Sequence, residues 1–448
     1  MKKLPYYLLI LSLLCISSQG VEMDPKTFFP GWDLLPLKQQ ETLTTQIERI
    51  DLDELAMQRA VALQEQDSFQ KLSVFKDYEF SGSVQDQELG KKLIAEGKVG
   101  CLIVAGGQGT RLGFTKPKGL YPVTLIKKKS LFQLFAEKIL AAGKRAGRSL
   151  YVAIMTSTDN HEETVESFKQ SNYFGLNPDQ VFFFSQKDLP FLDKEGNLFL
   201  DAESHFAMGP NGNASSLKEF VASGIWDTWK KQGVSYVNYM HIDNTLADPF
   251  DAELSGFHSH YPKSDMILKC IERENVDEKI GVIFQIDGKV GVVEYSELSK
   301  EEKEARNEEG SLKNACANIG LYSFSMDFIH NVAASYYDKL PFHKAWKKES
   351  WKFEKFIFDV MPFAQNVKAL LYSRLDCFAP LKNTQGEDSL STVQIGLQRK
   401  DRQIFEKITG TSTDGIVFEL DPSFYYPDAS LLQKWKGKSL PDTNYVDP

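Results

Sequence analysis

Residues 104–119, VAGGQGTRLGFTKPKG, place five glycines, one arginine and two lysines directly after the apolar run GCLIVA. Glycine backbones can approach a phosphate closely and donate N–H groups to it, and cationic side chains such as Arg111 and Lys118 add positive charge. We therefore expect this loop to surround a polyphosphate. The alternative is a tight turn with incidental surface cations, but ordering so many glycines costs entropy without a packing return.

The loop departs from two common phosphate-binding motifs. A dinucleotide GxGxxG would need, after Gly107 and Gly109, a third glycine where Leu112 stands, and no glycine here is followed by lysine in the GxxxxGK frame. GxSxG and HExxH do not occur, so hydrolase and zinc-protease chemistry has no support. The imidazoles of His258 and His260 would share one side of a strand, but without a third ligand nearby we expect a packed or surface pair.

The elements that must position the loop follow from apolar periodicity. Residues 34–72 have apolar positions at helical spacing, which predicts two or three helices. From Gly100 to about Phe250, short β-rich runs alternate with helical stretches, a pattern typical of βαβ units and a parallel sheet. Further strand-rich runs predict that the sheet continues or gains an antiparallel extension. The chain after Phe378 is turn-rich, as expected for a small closing domain.

Composition limits the class of protein. At 448 residues the chain is too long for one ordinary core, which predicts two or three domains, and its apolar content of 42% is enough to bury them. Its formal charge of −9 argues against a general binder of nucleic acid or anionic membranes. Five scattered cysteines without a CxxC pair predict neither a disulfide framework nor a zinc site. The charge runs at 127–129 and 301–310 are expected to be solvated faces.

The N-terminus has the layout of a secretory signal peptide, with Lys2 and Lys3 before an apolar stretch that ends near Ile16. The stretch is too short for a comfortable membrane span. Because the polyphosphate expected at the glycine-rich loop is an intracellular kind of ligand, we expect residues 1–22 to be a leader-like or misassigned start, with Met23 as an alternative. The expected compartment is then cytoplasmic, and a true signal or anchor is the other possibility.

The loop AGGQGTRLG followed by KPKG resembles the signature of eukaryotic-type UDP-N-acetylhexosamine pyrophosphorylases, members of the nucleotide-diphosphate-sugar pyrophosphorylase superfamily. Further blocks in family order, among them HIDNTLADP, ANIGLYSF and FAPLKNTQGEDS, extend the resemblance from about residue 90 to 395. It implies an α/β fold: a Rossmann-like, GT-A-like nucleotidyltransferase core with a mixed sheet at 91–377. It also implies an N-terminal helical region at 23–90 and a small C-terminal β-rich domain at 378–448.

The implied reaction transfers a uridylyl group from UTP to a sugar 1-phosphate, giving a UDP-sugar and diphosphate. Both reactants are polyanions, so the problem is charge neutralisation and in-line positioning. The resemblance implies that Arg111 holds the departing diphosphate, that Lys118 contacts the reacting phosphates and that Lys382 reaches the site from the C-terminal side. Asp243, after the strand-like run YVNYM, would bind Mg²⁺ (or Mn²⁺) with phosphate oxygens and waters. A turn-forming aspartate is the alternative.

The resemblance also implies uridine contacts from loop backbone groups and from a side-chain amide. These positions are Ala105, Gly106, Gly107, Gln186, Gly212 and Asn213. The last two lie in a turn that departs from the family pattern PDGNGG, because Asn211 replaces the acid and Ala214 and Ser215 replace glycines. The added β-carbons are expected to narrow the nucleotide or sugar pocket.

For the sugar, the resemblance implies Gly281, Glu294 and Asn318 as hexose-lining positions, with Gly281 and Asn318 accommodating an N-acetyl group. This favours N-acetylglucosamine 1-phosphate. Ala317 replaces a family glycine and the stretch 244–248 is shorter than usual, so glucose 1-phosphate or a broad UDP-sugar specificity stays open. A non-catalytic nucleotide-binding regulator is the alternative of another class, although the retained cationic and acidic residues favour an enzyme.

Overall fold

The computed structural model describes residues 24–64 and 71–448. The expected leader at 1–22 and the alternative start at Met23 lie outside the described residues. The chain divides into two compact units. The first comprises Asp188–Gly212 and Pro341–Lys355 with the described residues of Met1–Ser68, and the second comprises Asn213–Leu340 and Phe356–Pro448 with the described residues of Phe69–Lys187.

The described residues contain several short 3₁₀ segments and thirteen α-helices. They are α1 Leu37–Ile47, α2 Leu52–Leu63, α3 Val84–Ala95, α4 Leu131–Ala146, α5 His161–Gln170, α6 Ser215–Ala222, α7 Ile225–Lys231, α8 Ala252–His260, α9 Lys300–Glu304, α10 Met326–Asn331, α11 Arg374–Cys377, α12 Leu390–Thr409 and α13 Ala429–Trp435.

The strands alternate with these helices over much of the chain. They are β1 Leu72–Val74, β2 Tyr78–Phe80, β3 Val99–Val104, β4 Val152–Thr156, β5 Val181–Ser185, β6 Asp188–Pro190, β7 Met208–Pro210, β8 Tyr236–His241, β9 Met266–Glu272, β10 Val282–Ile286, β11 Lys289–Val293, β12 Cys316–Ser325, β13 His343–Lys347, β14 Ser350–Glu354, β15 Lys368–Tyr372, β16 Glu419–Leu420 and β17 Tyr445–Val446.

The sequence predicts two or three helices near the N-terminus, and two are described, α1 and α2. The first unit joins them to two antiparallel hairpins, β6–β7 and β13–β14. Its core includes Leu43, Leu55, Leu192 and Phe353. The apolar faces of α1 and α2 are thus buried against segments that lie more than a hundred residues later in the sequence. The units therefore differ from the continuous stretches 23–90, 91–377 and 378–448 expected from the sequence.

The second unit is built on a mixed sheet of eleven strands among the described residues, in the order β2-β15-β9-β12-β8-β3-β4-β5, with β10 joining β12, β1 and β11. Strands β8, β3, β4 and β5 are parallel. Strand β12 runs antiparallel to both β8 and β9, and β10–β11 is an antiparallel hairpin. The predicted α/β class and the antiparallel extension of the sheet are both confirmed.

Apolar side chains cover the sheet on both faces. One core unites the buried side of α4 with β3 and β4, and the other unites α6, α7 and α10 with β8 and β12. Helix α4 begins after Ser130, whose hydroxyl accepts from Gln133 N–H at 3.2 Å, and ends at Gly147, where φ is 68°. These are the cap residues that helix ends favour.

The C-terminal segment is helical rather than β-rich. Helix α12 spans twenty residues, and the only strands described beyond Phe378 are β16 and β17, of two residues each. Phe405, Phe424 and Trp435 form a small aromatic core there. The β-rich character implied by the family resemblance is therefore wrong for this segment, and the turn-rich stretches border α12 on either side.

His258 and His260 are the packed or surface pair that was expected, but they lie on helix α8 and not on a strand. His258 contacts Ser323 Oγ at 2.8 Å and the Ser264 carbonyl at 3.0 Å, and His260 contacts Asp86 at 2.5 Å. The expected solvated face at 127–129 is corrected in part. In the run 127–129, Lys129 is buried and its Nζ lies 2.7 Å from Glu137. A buried charge needs such a partner, so this lysine is part of the fold rather than of a solvated face.

Within 24–64 and 71–448, none of the helices has the length and apolar character needed to cross a membrane. Cys101, Cys270, Cys316 and Cys377 are buried and form no disulfide with each other. Cys15 lies outside the described residues.

Candidate active site

The glycine-rich loop leaves the sheet at the C-terminal end of β3. Ala105 N–H still donates to the Met155 carbonyl at 2.7 Å, and then the chain turns away from the sheet. Asn160 fixes the backbone at the start of the loop. Its Nδ2 donates to the Ala105 carbonyl at 3.1 Å, and its Oδ1 accepts from Ser157 N–H at 2.8 Å. Asn160 is fully buried. Sequence reasoning missed its role, although its position just after β4 in STDN was a usable signal.

Gly106 lies against the amide of Gln186, the residue that follows β5. A β-carbon at Gly106 would stand 2.3 Å from Gln186 Nε2, so only glycine permits this approach. Gln186 is buried, and its N–H donates to the Thr156 carbonyl at 3.0 Å. At Gly107 a β-carbon would meet no atom within 4 Å. The predicted uridine positions Ala105, Gly106, Gly107 and Gln186 thus lie together, with open backbone at Gly107.

Asp243 and Lys118 form an ion pair where β8 ends. Lys118 Nζ lies 3.2 Å from Asp243 Oδ2, and both side chains are mostly buried. Burial by itself raises the pKa of Asp243, but the charges of Lys118 and Lys382 and the hydrogen bond from Lys118 outweigh it and bring that pKa down to about 2. The carboxylate is therefore ionised at neutral pH, as a ligand of a hard cation or a partner of lysines must be.

Lys382 is held to the same strand end through its backbone. Leu381 N–H donates to the Asp243 carbonyl at 2.9 Å. The buried Asn244 amide donates to the Cys377 carbonyl at 2.8 Å and accepts from Ala379 N–H at 3.0 Å. These hydrogen bonds fix the position of the segment that carries Lys382 relative to the residues after β8.

The side chain of Lys382 has a partner of its own. Its Nζ lies 3.7 Å from Asp388 Oδ2, and its N–H donates to the Asp388 carbonyl at 2.7 Å. Burial raises the pKa of Asp388, and Lys382 opposes that rise. Neither Asp388 nor Asn244 was predicted from the sequence. Both belong to sequence blocks that carry the family resemblance, Asp388 to FAPLKNTQGEDS and Asn244 to HIDNTLADP. Their partners are distant or non-adjacent in sequence and become visible only in the folded chain.

Arg111 differs from the two lysines. It is exposed in a turn at Thr110–Leu112, and within the described part of the chain it has no hydrogen-bond or ion-pair partner. The structure therefore does not join Arg111 to the Lys118–Asp243 pair. A guanidinium in this state can engage an incoming anion without first losing a protein partner.

Gly212 belongs to the first unit. Its φ is +96°, and a β-carbon would stand 2.3 Å from the Lys355 carbonyl oxygen, so the position requires glycine. Asn211 accepts at its carbonyl from Lys355 N–H at 2.9 Å. This close backbone approach explains why glycine occupies the turn.

Asn213 belongs to the second unit and lies beside His241. Its Oδ1 accepts from Ile357 N–H at 2.7 Å, and its Nδ2 lies 3.4 Å from His241 Nε2. Burial lowers the pKa of His241, Asp243 opposes this, and the two lysines reinforce it, so the ring is neutral at pH 7. Ala214 and Ser215, which replace family glycines, have no exposed surface, and Ala214 packs into the second core.

The predicted sugar positions also lie close together. Asn318 N–H donates to the Gly281 carbonyl at 2.9 Å, and a β-carbon at Gly281 would stand 3.2 Å from Glu294 Oε1. The neighbouring bulge of β12 brings Gly320, with φ of +70°, against the ring of His241 at the end of β8. The sugar positions are therefore adjacent to the strand end that carries Asp243.

An open α/β sheet that gathers a glycine-rich loop, lysines and an ionised carboxylate at the carboxyl ends of its strands is the arrangement of a nucleotide-phosphate site. The comparisons agree with this class. Residues 42–409 match the family model described as UTP--glucose-1-phosphate uridylyltransferase. A probable UDP-N-acetylglucosamine pyrophosphorylase of Dictyostelium discoideum is 32% identical over 91% of this chain and 92% of its own.

Two further relatives extend the similarity. A UDP-N-acetylhexosamine pyrophosphorylase-like protein 1 of Xenopus tropicalis is 34% identical over 82% of this chain and 80% of its own. A crystal structure of a putative UDP-N-acetylglucosamine pyrophosphorylase from Entamoeba histolytica superposes with a TM-score of 0.72 and 26% identity, covering 84% of this chain and 99% of the other. The chain belongs to the UTP--glucose-1-phosphate uridylyltransferase family.

Proposed function

We propose that the protein transfers the uridylyl group of UTP to N-acetylglucosamine 1-phosphate and releases diphosphate. Its family and the names of its relatives support the reaction class. The observation that carries the proposal is the Lys118–Asp243 pair, which adjoins the glycine-rich loop and is backbone-linked to the segment of Lys382. These are the charges that two polyanionic reactants require.

Each residue has a role in one in-line displacement. The phosphate oxygen of the sugar forms a bond to the α-phosphorus of UTP, while the bond from that phosphorus to the oxygen bridging the β-phosphorus breaks. Diphosphate leaves with that electron pair. Lys118 and Lys382 neutralise the reacting phosphates, Arg111 binds the departing diphosphate, and Gln186 reads the base through its amide.

Asp243 fits a magnesium ion. It is an ionised oxygen ligand at a strand end, and Mg²⁺ in nucleotide sites is commonly held by one or two carboxylates with substrate phosphates. Among the described residues no cluster of three or more acidic, His or Cys side chains exists that would form an all-protein cage. We propose that Asp243 holds Mg²⁺, which would supply neutralising charge to the phosphates, and that Lys118 then engages phosphate in place of Asp243.

The test is diphosphate release from UTP and Mg²⁺ by the purified protein, with N-acetylglucosamine 1-phosphate and glucose 1-phosphate offered in parallel. We expect release with the N-acetylated sugar. Asp243→Asn should lower kcat by on the order of 100-fold, because the ligand that would hold the charge-neutralising Mg²⁺ beside the phosphates is lost. Omitting Mg²⁺ should have a comparable effect on the wild type.

Asp327→Asn is the matched control. Asp327 Oδ1 also pairs with a lysine, at 2.5 Å from Lys230 Nζ, but this pair is exposed. Asp327 follows the end of β12, which lies beside the start of β8 because the two strands are antiparallel, whereas Asp243 follows the end of β8. This variant should keep wild-type kcat. Equal activity of Asp243→Asn and Asp327→Asn would contradict the role of Asp243, and no release with either sugar would contradict the function.

Glucose 1-phosphate is the second candidate sugar, because the matching family model is described by that reaction. The two sugars are separated by the same assay. Release with glucose 1-phosphate but not with the N-acetylated sugar would establish this alternative.

We also propose that the protein acts in the cytoplasm, where UTP and sugar phosphates are available, and that it has no nucleic-acid or stable membrane partner. The net charge of −9 supports the absence of nucleic-acid binding. Microscopy of the full chain tagged at its C-terminus tests the compartment, and a secreted or membrane-bound signal would contradict it.

A further inference from the structure

The side-chain amide of Asn318 is held from one side at the bulge of β12. Tyr322 Oη donates to Asn318 Oδ1 at 2.7 Å, and Gly320 N–H donates to the same oxygen at 3.3 Å. Tyr322 is fully buried, whereas Asn318 is half-buried. The oxygen end of the amide therefore faces the protein.

This orientation does not depend on the hydroxyl proton alone. A backbone N–H can only donate, so the amide atom that faces Gly320 must be the oxygen. Within the described part of the chain, Asn318 Nδ2 has no hydrogen-bond partner. The two N–H groups of the amide thus remain available to a ligand.

A donor at this position distinguishes two kinds of sugar substituent. The carbonyl oxygen of an acetamido group can only accept, so it requires the nitrogen end of the amide. A hydroxyl group both donates and accepts, so it can pair with either end of an amide. An amide fixed with its nitrogen toward the ligand therefore favours binding of the acetamido sugar. The same orientation has little effect on binding of the sugar that carries a hydroxyl group.

We propose that Tyr322 is a specificity-determining positioning residue, which fixes the Asn318 amide so that its nitrogen binds the carbonyl oxygen of a 2-acetamido sugar. The inference rests on the proposed function, since it concerns the sugar of the same reaction. The selectivity between the two sugars then depends on the hydroxyl group of Tyr322, which is buried and contacts Asn318.

The test compares kcat/KM for N-acetylglucosamine 1-phosphate and for glucose 1-phosphate in Tyr322→Phe, which removes only the hydroxyl. The loss of a neutral hydrogen bond predicts a fall of about five-fold for the acetamido sugar, with KM for UTP unchanged. The value for glucose 1-phosphate should stay within about two-fold of wild type. Thermal unfolding verifies that the variant is folded.

Tyr239→Phe is the matched control. Tyr239 is buried on β8, directly opposite Tyr322 in the sheet register, and the two rings are 5.5 Å apart. Its hydroxyl makes no hydrogen bond to Asn318. This variant should leave the ratio of the two kcat/KM values at that of the wild type.

Asn318→Asp gives a second, independent test. A carboxylate keeps an acceptor toward Tyr322 and Gly320 but presents no donor outward, and its two ends are equivalent. The selectivity for the acetamido sugar should therefore be lost, and adding Tyr322→Phe to Asn318→Asp should not change it further.

The outcomes separate this inference from the proposed function. A wild type without uridylyltransferase activity toward either sugar overturns both. A wild type that prefers the acetamido sugar, together with equal effects of Tyr322→Phe on both sugars, overturns the inference alone. A further loss of selectivity on adding Tyr322→Phe to Asn318→Asp would also overturn it.

Discussion

At the scale of single residues, Gly106 and Asn160 differ in how far the sequence reveals them. Gly106 stands in a dense glycine loop after an apolar run, so its need for a close approach was predictable, although its partner Gln186 was not. Asn160 stands in STDN, a composition that also forms ordinary turns. Only the folded chain shows that its amide spans from Ser157 to the Ala105 carbonyl.

We expect Gly106→Ala to weaken UTP binding by about ten-fold with little effect on stability. The new β-carbon would stand 2.3 Å from Gln186 Nε2, which is the end of a flexible side chain and moves aside. The displaced amide would lose the contacts that we propose it makes with the base, and a ten-fold weaker binding corresponds to about 1.4 kcal/mol. Calorimetric titration with UTP and thermal unfolding measure the two effects.

Gly107→Ala is the steric comparison for this prediction, because its β-carbon meets no atom within 4 Å and the fold should be unchanged. Its melting temperature should equal that of the wild type, so any loss of UTP affinity would arise from the ligand. Unchanged affinity in Gly106→Ala would show that the Gln186 amide does not contact UTP.

At the scale of elements, the apolar runs that predicted the strands proved sufficient for the central sheet. GCLIVA became β3, LYVAIMT became β4 and VFFFSQ became β5, each to within two residues. Periodicity did not reveal α12, because the nearby turn residues dominated the prediction. Those residues are its boundaries, with Ser389 before the helix and Gly410, at φ of 76°, after it.

The pairing of Asn244 with the segment before Lys382 joins residues 133 positions apart, as measured from Asn244 to Cys377. No local pattern predicts such a contact. We expect Asn244→Ala to lower the free energy of unfolding by about 2 kcal/mol, because buried backbone groups lose their partners. We also expect kcat to fall by about ten-fold with KM for UTP unchanged, because Lys382 loses its fixed position.

Urea unfolding and steady-state kinetics measure these changes, and Asn383→Ala is the matched control. Asn383 is exposed in the same loop and donates to the Glu387 carbonyl at 2.8 Å, so its loss should leave both quantities near wild type. If Asn244 acts through Lys382, Asn244→Ala will cost no further activity in a Lys382→Ala background. An additional fall there would contradict the positioning role.

At the scale of the whole molecule, composition predicted more than one core but could not predict how the chain is shared between them. Changes in composition mark boundaries along a sequence, whereas the first unit combines three separate stretches. The C-terminal part also contains a buried carboxyl group, Asp401, whose burial could not be predicted from composition. Asp401 accepts from Tyr425 Oη at 2.6 Å and from Leu420 N–H at 3.2 Å.

Asp401 makes the stability of the protein pH-dependent. Burial raises its pKa to about 7 although both hydrogen bonds favour the ionised form. A carboxyl with a raised pKa binds its proton more tightly in the folded state, so its contribution is complete below the unfolded pKa of about 4 and is lost as the pH rises through 7. From pH 5 to pH 8 the loss is roughly 2–3 kcal/mol.

Asp401→Asn should remove this dependence, because an amide can accept from Leu420 and donate to the Tyr425 oxygen. We therefore expect the variant to be more stable than the wild type at pH 8 and to show a flatter profile. Urea unfolding at pH 5, 6, 7 and 8 measures both curves. Parallel curves for the two proteins would contradict the assignment of the titration to Asp401.

The ion pair between Lys118 and Asp243 spans 125 residues of chain, and the backbone of the Lys382 segment closes on it from still farther away. Contacts between such distant stretches form only after long loops have closed, which is slow. The central sheet depends on the same closure, because Val99 on β3 pairs with Tyr236 on β8, and Lys118 and Asp243 follow these two strands. We therefore expect a refolding chain to form the ion pair together with the β3–β8 pairing, so that turnover and a spectroscopic signal of the sheet should recover at the same rate.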